Sequence, residues 1–289
     1  MMKKFALLLS AATLALFAAS CNDDKDHVTQ TYSLQLLNLV SDDNANSPEA
    51  AVITPATYGV QLDFTDNAIT ISGSGVPLMN GASVSFGTPA MKYQAAQGSF
   101  KFNLASIPNN TEVSNISGRL AQVASVPNGN SGSIEYGVPM NLVMAYTTPG
   151  YTVRTFPADA VYQGTTYISK GQEMNDPVTS TAYRVVINQK EMTATMYIYG
   201  AKFDPKMPEM NLVLEGLKVS ANSVASYMIK GENIVPKSIP ENTPYDRFVF
   251  QNITFSTVNA DLTGANIEFD IPAVNGHGSF SGYYTLSNN

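Results

Sequence analysis

Tyr58-Gly59-Val60-Gln61-Leu62-Asp63-Phe64 runs through Asp66-Asn67 into Ala68-Ile69-Thr70-Ile71-Ser72. The first stretch alternates with a period of two, the second is β-branched, and Asp66-Asn67 suits a tight turn. This is the pattern of a β-hairpin with one face turned to a core. The same pattern returns at 183–200, in Tyr183-Arg184-Val185-Val186-Ile187 and Thr195-Met196-Tyr197-Ile198-Tyr199. Further alternating stretches lie at 99–104, 151–156 and 266–271. Most of the 16 prolines and 20 glycines fall between such stretches. No segment of helical length carries a clean 3.6-residue period without Gly or Pro, and residues 221–229 read as a short turn of helix or an edge strand.

The two hairpins belong to a wider internal likeness. Ser106-Ile107-Pro108-Asn109-Asn110-Thr111 returns as Ser238-Ile239-Pro240-Glu241-Asn242-Thr243, and Asn115-Ile116-Ser117 as Asn252-Ile253-Thr254. The segment 134–147 resembles 267–287. The order is kept while the offset drifts, as loop insertions after a duplication would produce. The expectation is an all-β protein of two tandem antiparallel β-domains, sandwich-like, with an open or closed β-barrel as the alternative. The domains are placed at 30–147 and 148–289, the second a divergent duplicate of the first.

The amino terminus has a different character. Lys3 and Lys4 precede an apolar run of about fifteen residues, and Ala18-Ala19-Ser20 then leads to Cys21, the one cysteine of the chain. This is the layout of a secretory signal rather than of a spanning helix, which needs roughly 20 apolar residues. Residues 18–21 resemble the lipobox of bacterial lipoproteins, with Ala18 where Leu is usual. Asn22-Asp23-Asp24-Lys25-Asp26 resembles the acidic patch of exported Bacteroidetes lipoproteins. The resemblance covers about 26 residues and implies an address: cleavage after residue 20, acylation of Cys21 (palmitate among its acyl chains), and anchoring in the outer membrane, on the periplasmic side or at the cell surface. Residues 21–29 then form a lipidated polar tether.

Composition narrows the function. Charged residues make up 13% of the 289, against roughly 25% in an average protein. From Cys21 onward the chain holds 23 acidic and 14 basic residues, a net charge of −9. No basic tract is present to grip nucleic acid. A single cysteine excludes an internal disulfide, and with only His27 and His277 there is no thiol or histidine set for a transition metal. No cofactor is implied. Residues 31–147 carry three basic and seven acidic residues, so that half is polar mainly through Asn, Ser, Thr and Gln.

Catalytic patterns are weak. His277 lies in Asn275-Gly276-His277-Gly278, which suits a hairpin turn better than a held base. Asp159, Glu173, Asp176, Glu191 and Asp204 show no spacing that singles out a glycosidase pair. Asp42-Asp43-Asn44-Ala45-Asn46 is oxygen-rich but lacks the spacing of a calcium loop. The tyrosines are more suggestive. Tyr146, Tyr151, Tyr162 and Tyr167 cluster near the domain junction, and Tyr283 and Tyr284 are adjacent, so that in a strand they point to opposite sides. Each offers a flat ring with a hydroxyl, which suits a glycan or a protein partner. The reading is therefore a non-enzymatic envelope lipoprotein that binds a glycan or another envelope protein through these tyrosines. A barrel-like carrier of a small apolar ligand, or an undetected hydrolase, is the alternative.

Overall fold

The computed structural model describes residues 28–44, 50–96, 99–122, 126–127, 133–134, 140–170, 173–174, 178–203, 207–259 and 262–284. The signal, Cys21 and the tether as far as His27 lie outside the described residues. The first twelve strands are β1 (Thr29–Asp42), β2 (Ala51–Asp63), β3 (Ala68–Pro77), β4 (Ser83–Gly87), β5 (Met91–Lys92), β6 (Gln94–Ala96), β7 (Ser99–Ser106), β8 (Ser114–Gln122), β9 (Val126–Pro127), β10 (Ser133–Ile134), β11 (Met140–Thr148) and β12 (Tyr151–Pro157). The remaining ten are β13 (Asp159–Lys170), β14 (Glu173–Met174), β15 (Val178–Asn188), β16 (Thr193–Ala201), β17 (Met210–Ser223), β18 (Ser226–Gly231), β19 (Lys237–Ser238), β20 (Gln251–Thr257), β21 (Gly264–Ile271) and β22 (Gly276–Tyr284). The stretch 221–229, ambiguous in sequence, is the end of β17, a turn at Val224-Ala225, and the start of β18.

Two β-sheet domains result, and neither is a sandwich. The first sheet runs β4-β3-β2-β1-β12-β11-β8-β7-β6, with β5 beside β3. It curls around its own core as an open half-barrel. The second runs β13-β15-β16-β17-β18-β20-β21-β22 and closes on itself because β13 also pairs with β22, giving a closed barrel of eight strands with β14 and β19 attached. The expected sandwich gives way to its barrel alternative because hydrogen-bonded pairing continues around each curved sheet. A sandwich needs two separate sheets face to face. The first sheet also runs on through β12 to Pro157, past the boundary expected at 147/148, since β12 pairs with both β1 and β11.

The two hairpins that open the sequence argument are β2–β3 and β15–β16. Their turns are built alike. Asp63 Oδ1 accepts the amides of Thr65 and Asp66, and Asn188 Oδ1 accepts those of Lys190 and Glu191. Each turn ends on a left-handed residue, Asn67 at φ 50° and Met192 at φ 52°. An oxygen two residues before the reversal thus takes up the amides that the ladder leaves unpaired.

Inside the barrel, inward positions carry large rings: Phe203 lies 5.5 Å from Phe250, Phe250 lies 5.0 Å from Phe269, Tyr162 lies 5.1 Å from Phe255 and Tyr183 lies 4.4 Å from Phe280. Met196, Leu212, Leu214 and Ile267 fill the space between. The half-barrel core is built from Leu36, Val40, Tyr58, Val60, Ile71 and Leu120. Strand β1 serves both. Its residues Leu36 to Ser41 are buried on both faces. Leu36 and Val40 enter the half-barrel core, while Leu37 and Leu39 join the barrel's cluster, together with Phe156 of β12. Phe156 stacks on Tyr227 of β18 at 4.1 Å and 13°. The domains are therefore joined by buried apolar surface.

The seam between β13 and β22 requires bare positions on the inside. A Cβ on Gly278 would lie 2.3 Å from the Phe269 ring, and one on Gly164 would lie 2.1 Å from Ser281 O. We expect Gly278→Ala to lower unfolding free energy by about 1–3 kcal/mol, the usual cost of overpacking a filled core. Gly87→Ala, where a Cβ meets nothing within 4 Å, should be near neutral. Urea denaturation of the two variants measures the difference, and equal midpoints would contradict this account of the seam.

Candidate functional site

Closure of the barrel lays the outward residues of β20, β21, β22 and β13 side by side, because cross-strand partners share a face. Four rows follow from the registers. Gln163, Tyr283 and Gly264 form the first, and Thr165, Ser281, Asn266 and Ser256 the second. Tyr167, Ser279, Glu268 and Thr254 form the third, and Ser169, His277 and Asp270 the fourth. The face is rich in hydroxyls and amides. Two of its rings are open to solvent, Tyr283 at 64% and Tyr167 at 39% exposure. They stand four positions apart along the seam and one strand across, about 14 Å between backbones. Val258, also exposed, lies beside Gly264 at the Tyr283 end.

One corner of the face is ionisable. His277 Nδ1 lies 2.8 Å from Asp270 Oδ1, and Asn252 Nδ2 donates to Asp270 Oδ2 at 2.7 Å. The Asn252 amide and then the His277 contact hold the Asp270 carboxyl below its ordinary range. His277 is a strand residue, not the turn residue expected from its flanking glycines. Gly276 and Gly278 face inward beneath the barrel wall, so the imidazole is turned outward by strand alternation. This corner was missed in the sequence because Asp270, Asn252 and His277 come from three strands.

The structure separates the candidate tyrosines. Tyr146 is buried in the half-barrel, where its hydroxyl lies 3.1 Å from that of Tyr58, which in turn donates to Asn38 Oδ1 at 3.0 Å. Burial pushes the Tyr58 hydroxyl up to about 12 and raises that of Tyr146 further. Tyr162 is buried in the barrel with its hydroxyl 3.1 Å from Tyr227 Oη, and burial raises its pKa well above the ordinary value. Tyr151 is half-buried against the half-barrel core. Tyr167 and Tyr283 share the outer face. The backbone of Tyr284 pairs with Tyr162, and its side chain lies outside the described residues.

Asp159, Asp42 and Asp43 are occupied elsewhere. Asp159 makes a two-pronged ion pair with Arg184, at 2.8 and 2.6 Å. Asp42 Oδ1 accepts the backbone and side-chain nitrogens of Asn44, and Asp43 Oδ1 accepts the Thr152 hydroxyl at 2.7 Å. Asp176, Asp204, Ala45 and Asn46 lie outside the described residues. Among the described residues no group of three or more His, Cys, Asp or Glu converges as a metal set, and no helix is long and apolar enough to cross a membrane.

No protein-family model matches the chain, and no curated relative matches it. Solved structures that align with it include a double mutant of transferrin binding protein B from Haemophilus parasuis. That alignment is 8% identical, covers 89% of this chain and 76% of the other, and has a TM-score of 0.24. Isotype 1 transferrin binding protein B from serogroup B Neisseria meningitidis aligns at 9% identity over 89% and 77%, with a TM-score of 0.26. A likeness at this level supports no transfer of fold detail or function.

The Asp270 corner gives a pH test. A carboxylate whose folded pKa is depressed adds stability above its unfolded value of about 3.9, and that stability is lost as pH falls through the folded value. Asn252→Ala should raise the Asp270 pKa toward the ordinary range, as read by carboxyl-carbon NMR titration. An unchanged titration would mean that the Asn252 amide does not set it.

Proposed function

We propose that the chain is a non-enzymatic lipoprotein of the cell envelope, anchored in the outer membrane through acylated Cys21, that holds a glycan on the outer face of its barrel. The observation that carries the reading is the pairing of two solvent-open rings, Tyr167 and Tyr283, on one face whose neighbours are hydroxyls and amides. Sugars present C–H faces that lie on aromatic rings and hydroxyls that exchange hydrogen bonds with Ser, Thr, Asn and Gln. Asn266 is the cross-strand partner of Ser281, and Gln163 of Tyr283. A protein partner recognised by the same rings is the competing occupant, since exposed tyrosine also anchors protein interfaces.

Binding of the chain from Cys21 onward to a glycan array separates these. A polysaccharide should be retained, and Tyr167→Ala and Tyr283→Ala should each weaken it by about five- to tenfold, the effect of losing a contact worth 1–1.4 kcal/mol. Because both rings are exposed, the variants should keep the wild-type Tm. Absence of binding across varied polysaccharides, or binding indifferent to both substitutions, would remove the glycan reading. For the anchor, cells fed a labelled fatty acid should label the wild-type chain and leave Cys21→Ala unlabelled. Equal labelling would sink acylation at that residue.

A further inference from the structure

A cleft of about 300 Å3 opens where the two domains meet. Its origin is a break in strand pairing. β2 and β3 pair from Asp63↔Ala68 to Tyr58↔Gly73, and the ladder ends there. β3 then bulges between Gly73 and Val76, with Gly75 at φ 58°, and follows β4 instead. β2 stays on β1 through Gln35↔Thr57, Leu36↔Ala56 and Leu37↔Pro55. The two strands splay and are bridged again where the Thr54 hydroxyl donates to Pro77 O at 3.1 Å. The turn between β15 and β16 brings Gln189 of the barrel to the same place, with its Nε2 donating to Leu36 O at 3.4 Å.

The chemistry of the lining is selective. Gln35, Thr57, Ser74 and Gln189 supply amides and hydroxyls, while Pro55 and Pro77 supply apolar ring faces, and among the described residues no lining residue is ionisable. A charged ligand would meet no opposite charge among these residues. A peptide held by strand addition needs a sheet edge; β2 has no β3 ladder beyond Tyr58↔Gly73, but that edge carries Pro55, which has no N–H to donate, and is crossed by the Thr54–Pro77 hydrogen bond. Recognition therefore rests on side-chain donors and acceptors beside small apolar faces. The volume lies at the lower end of small-molecule sites.

We propose that this junction cleft is a second binding site, for a neutral sugar of one or two residues. The sugar hydroxyls engage Gln35, Thr57, Ser74 and Gln189, and a C–H face rests on the proline rings. Because Gln189 comes from the barrel and the other groups from the first sheet, an occupant contacts both domains. The site is distinct from the tyrosine-bearing face and does not depend on it.

The test is saturation-transfer NMR on the chain from Cys21 onward, with a panel of neutral mono- and disaccharides set against uronic acids and amino sugars. At least one neutral sugar should receive transfer. Gln35→Ala and Gln189→Ala should each weaken it by about tenfold, the loss of one well-made hydrogen bond with its partner left unpaired, and Tyr283→Ala should leave it unchanged. Gln35→Glu, at an exposed position, keeps the size of the side chain but removes the amide donor, so it should weaken neutral sugars while preserving the Tm. The proposal is overturned if no neutral sugar binds, if charged sugars bind as well as neutral ones, or if both glutamine variants leave binding unchanged. It is also overturned if binding follows Tyr283→Ala instead, which would place the sugar on the outer face, or if an uncharged extended peptide displaces the sugar.

Discussion

The antiparallel seam between β13 and β22 is the contact on which the second domain depends. It runs through nine register pairs, from Tyr162↔Tyr284 to Lys170↔Gly276. Without it both strands would present open edges of backbone donors and acceptors, which invite pairing with other chains. The seam can form because glycine occupies inward positions of β22, leaving room for Phe269 and Phe280 to turn into the lumen. The same closure brings residues far apart in sequence, such as Tyr167 and Ser279, onto one outer wall. Barrel core and outer face are thus two consequences of one pairing.

The first domain solves the problem of a curved sheet differently. It does not close, and its central strand β1 is covered on both faces at Leu36–Ser41. One face is filled by its own half-barrel, the other by the neighbouring barrel. The stacking of Phe156 on Tyr227 and the packing of Leu37 and Leu39 make the barrel part of what buries the first sheet. Arg154 adds a polar link, donating to Val224 O at 3.2 Å, and burial lowers its pKa. A contact of this kind favours a fixed domain arrangement over free hinge motion, because separation would expose apolar side chains from both sides.

Much of this was legible locally and little of it globally. Alternation in Tyr58–Phe64 and Tyr183–Ile187 marked strands and their buried faces, and the hairpins at 58–73 and 183–200 are where the sequence placed them. Alternation tells which side of a strand is dry, but not which strand lies beside it. Sandwich and barrel differ in that second property alone, so the choice waited on pairings such as β13 with β22, more than a hundred residues apart. The same limit explains β12. Tyr151–Phe156 reads as the opening strand of a second domain, yet its partners are β1 and β11 of the first. The Asp270 corner was invisible for the same reason, since its three residues are brought together by register and not by spacing.

The tyrosines show how far residue type carries and where position takes over. Tyr162 and Tyr167 stand five residues apart on one strand, so strand parity sends them to opposite sides. Tyr162 points inward, and its hydroxyl finds Tyr227 rather than water. A buried hydroxyl needs such a partner, which is why Tyr58, Tyr146, Tyr162 and Tyr183 each lie within hydrogen-bonding distance of another buried side chain. Tyr167 points outward, and Tyr283 reaches the same wall from β22 by the same rule. Abundance of tyrosine therefore has two physical meanings in this molecule. The inward set satisfies polar groups within an apolar core, and the outward pair leaves ring faces open beside hydroxyls and amides. Once the seam fixes the parity of β13 and β22, the division between Tyr162 and the pair Tyr167 and Tyr283 follows from strand alternation.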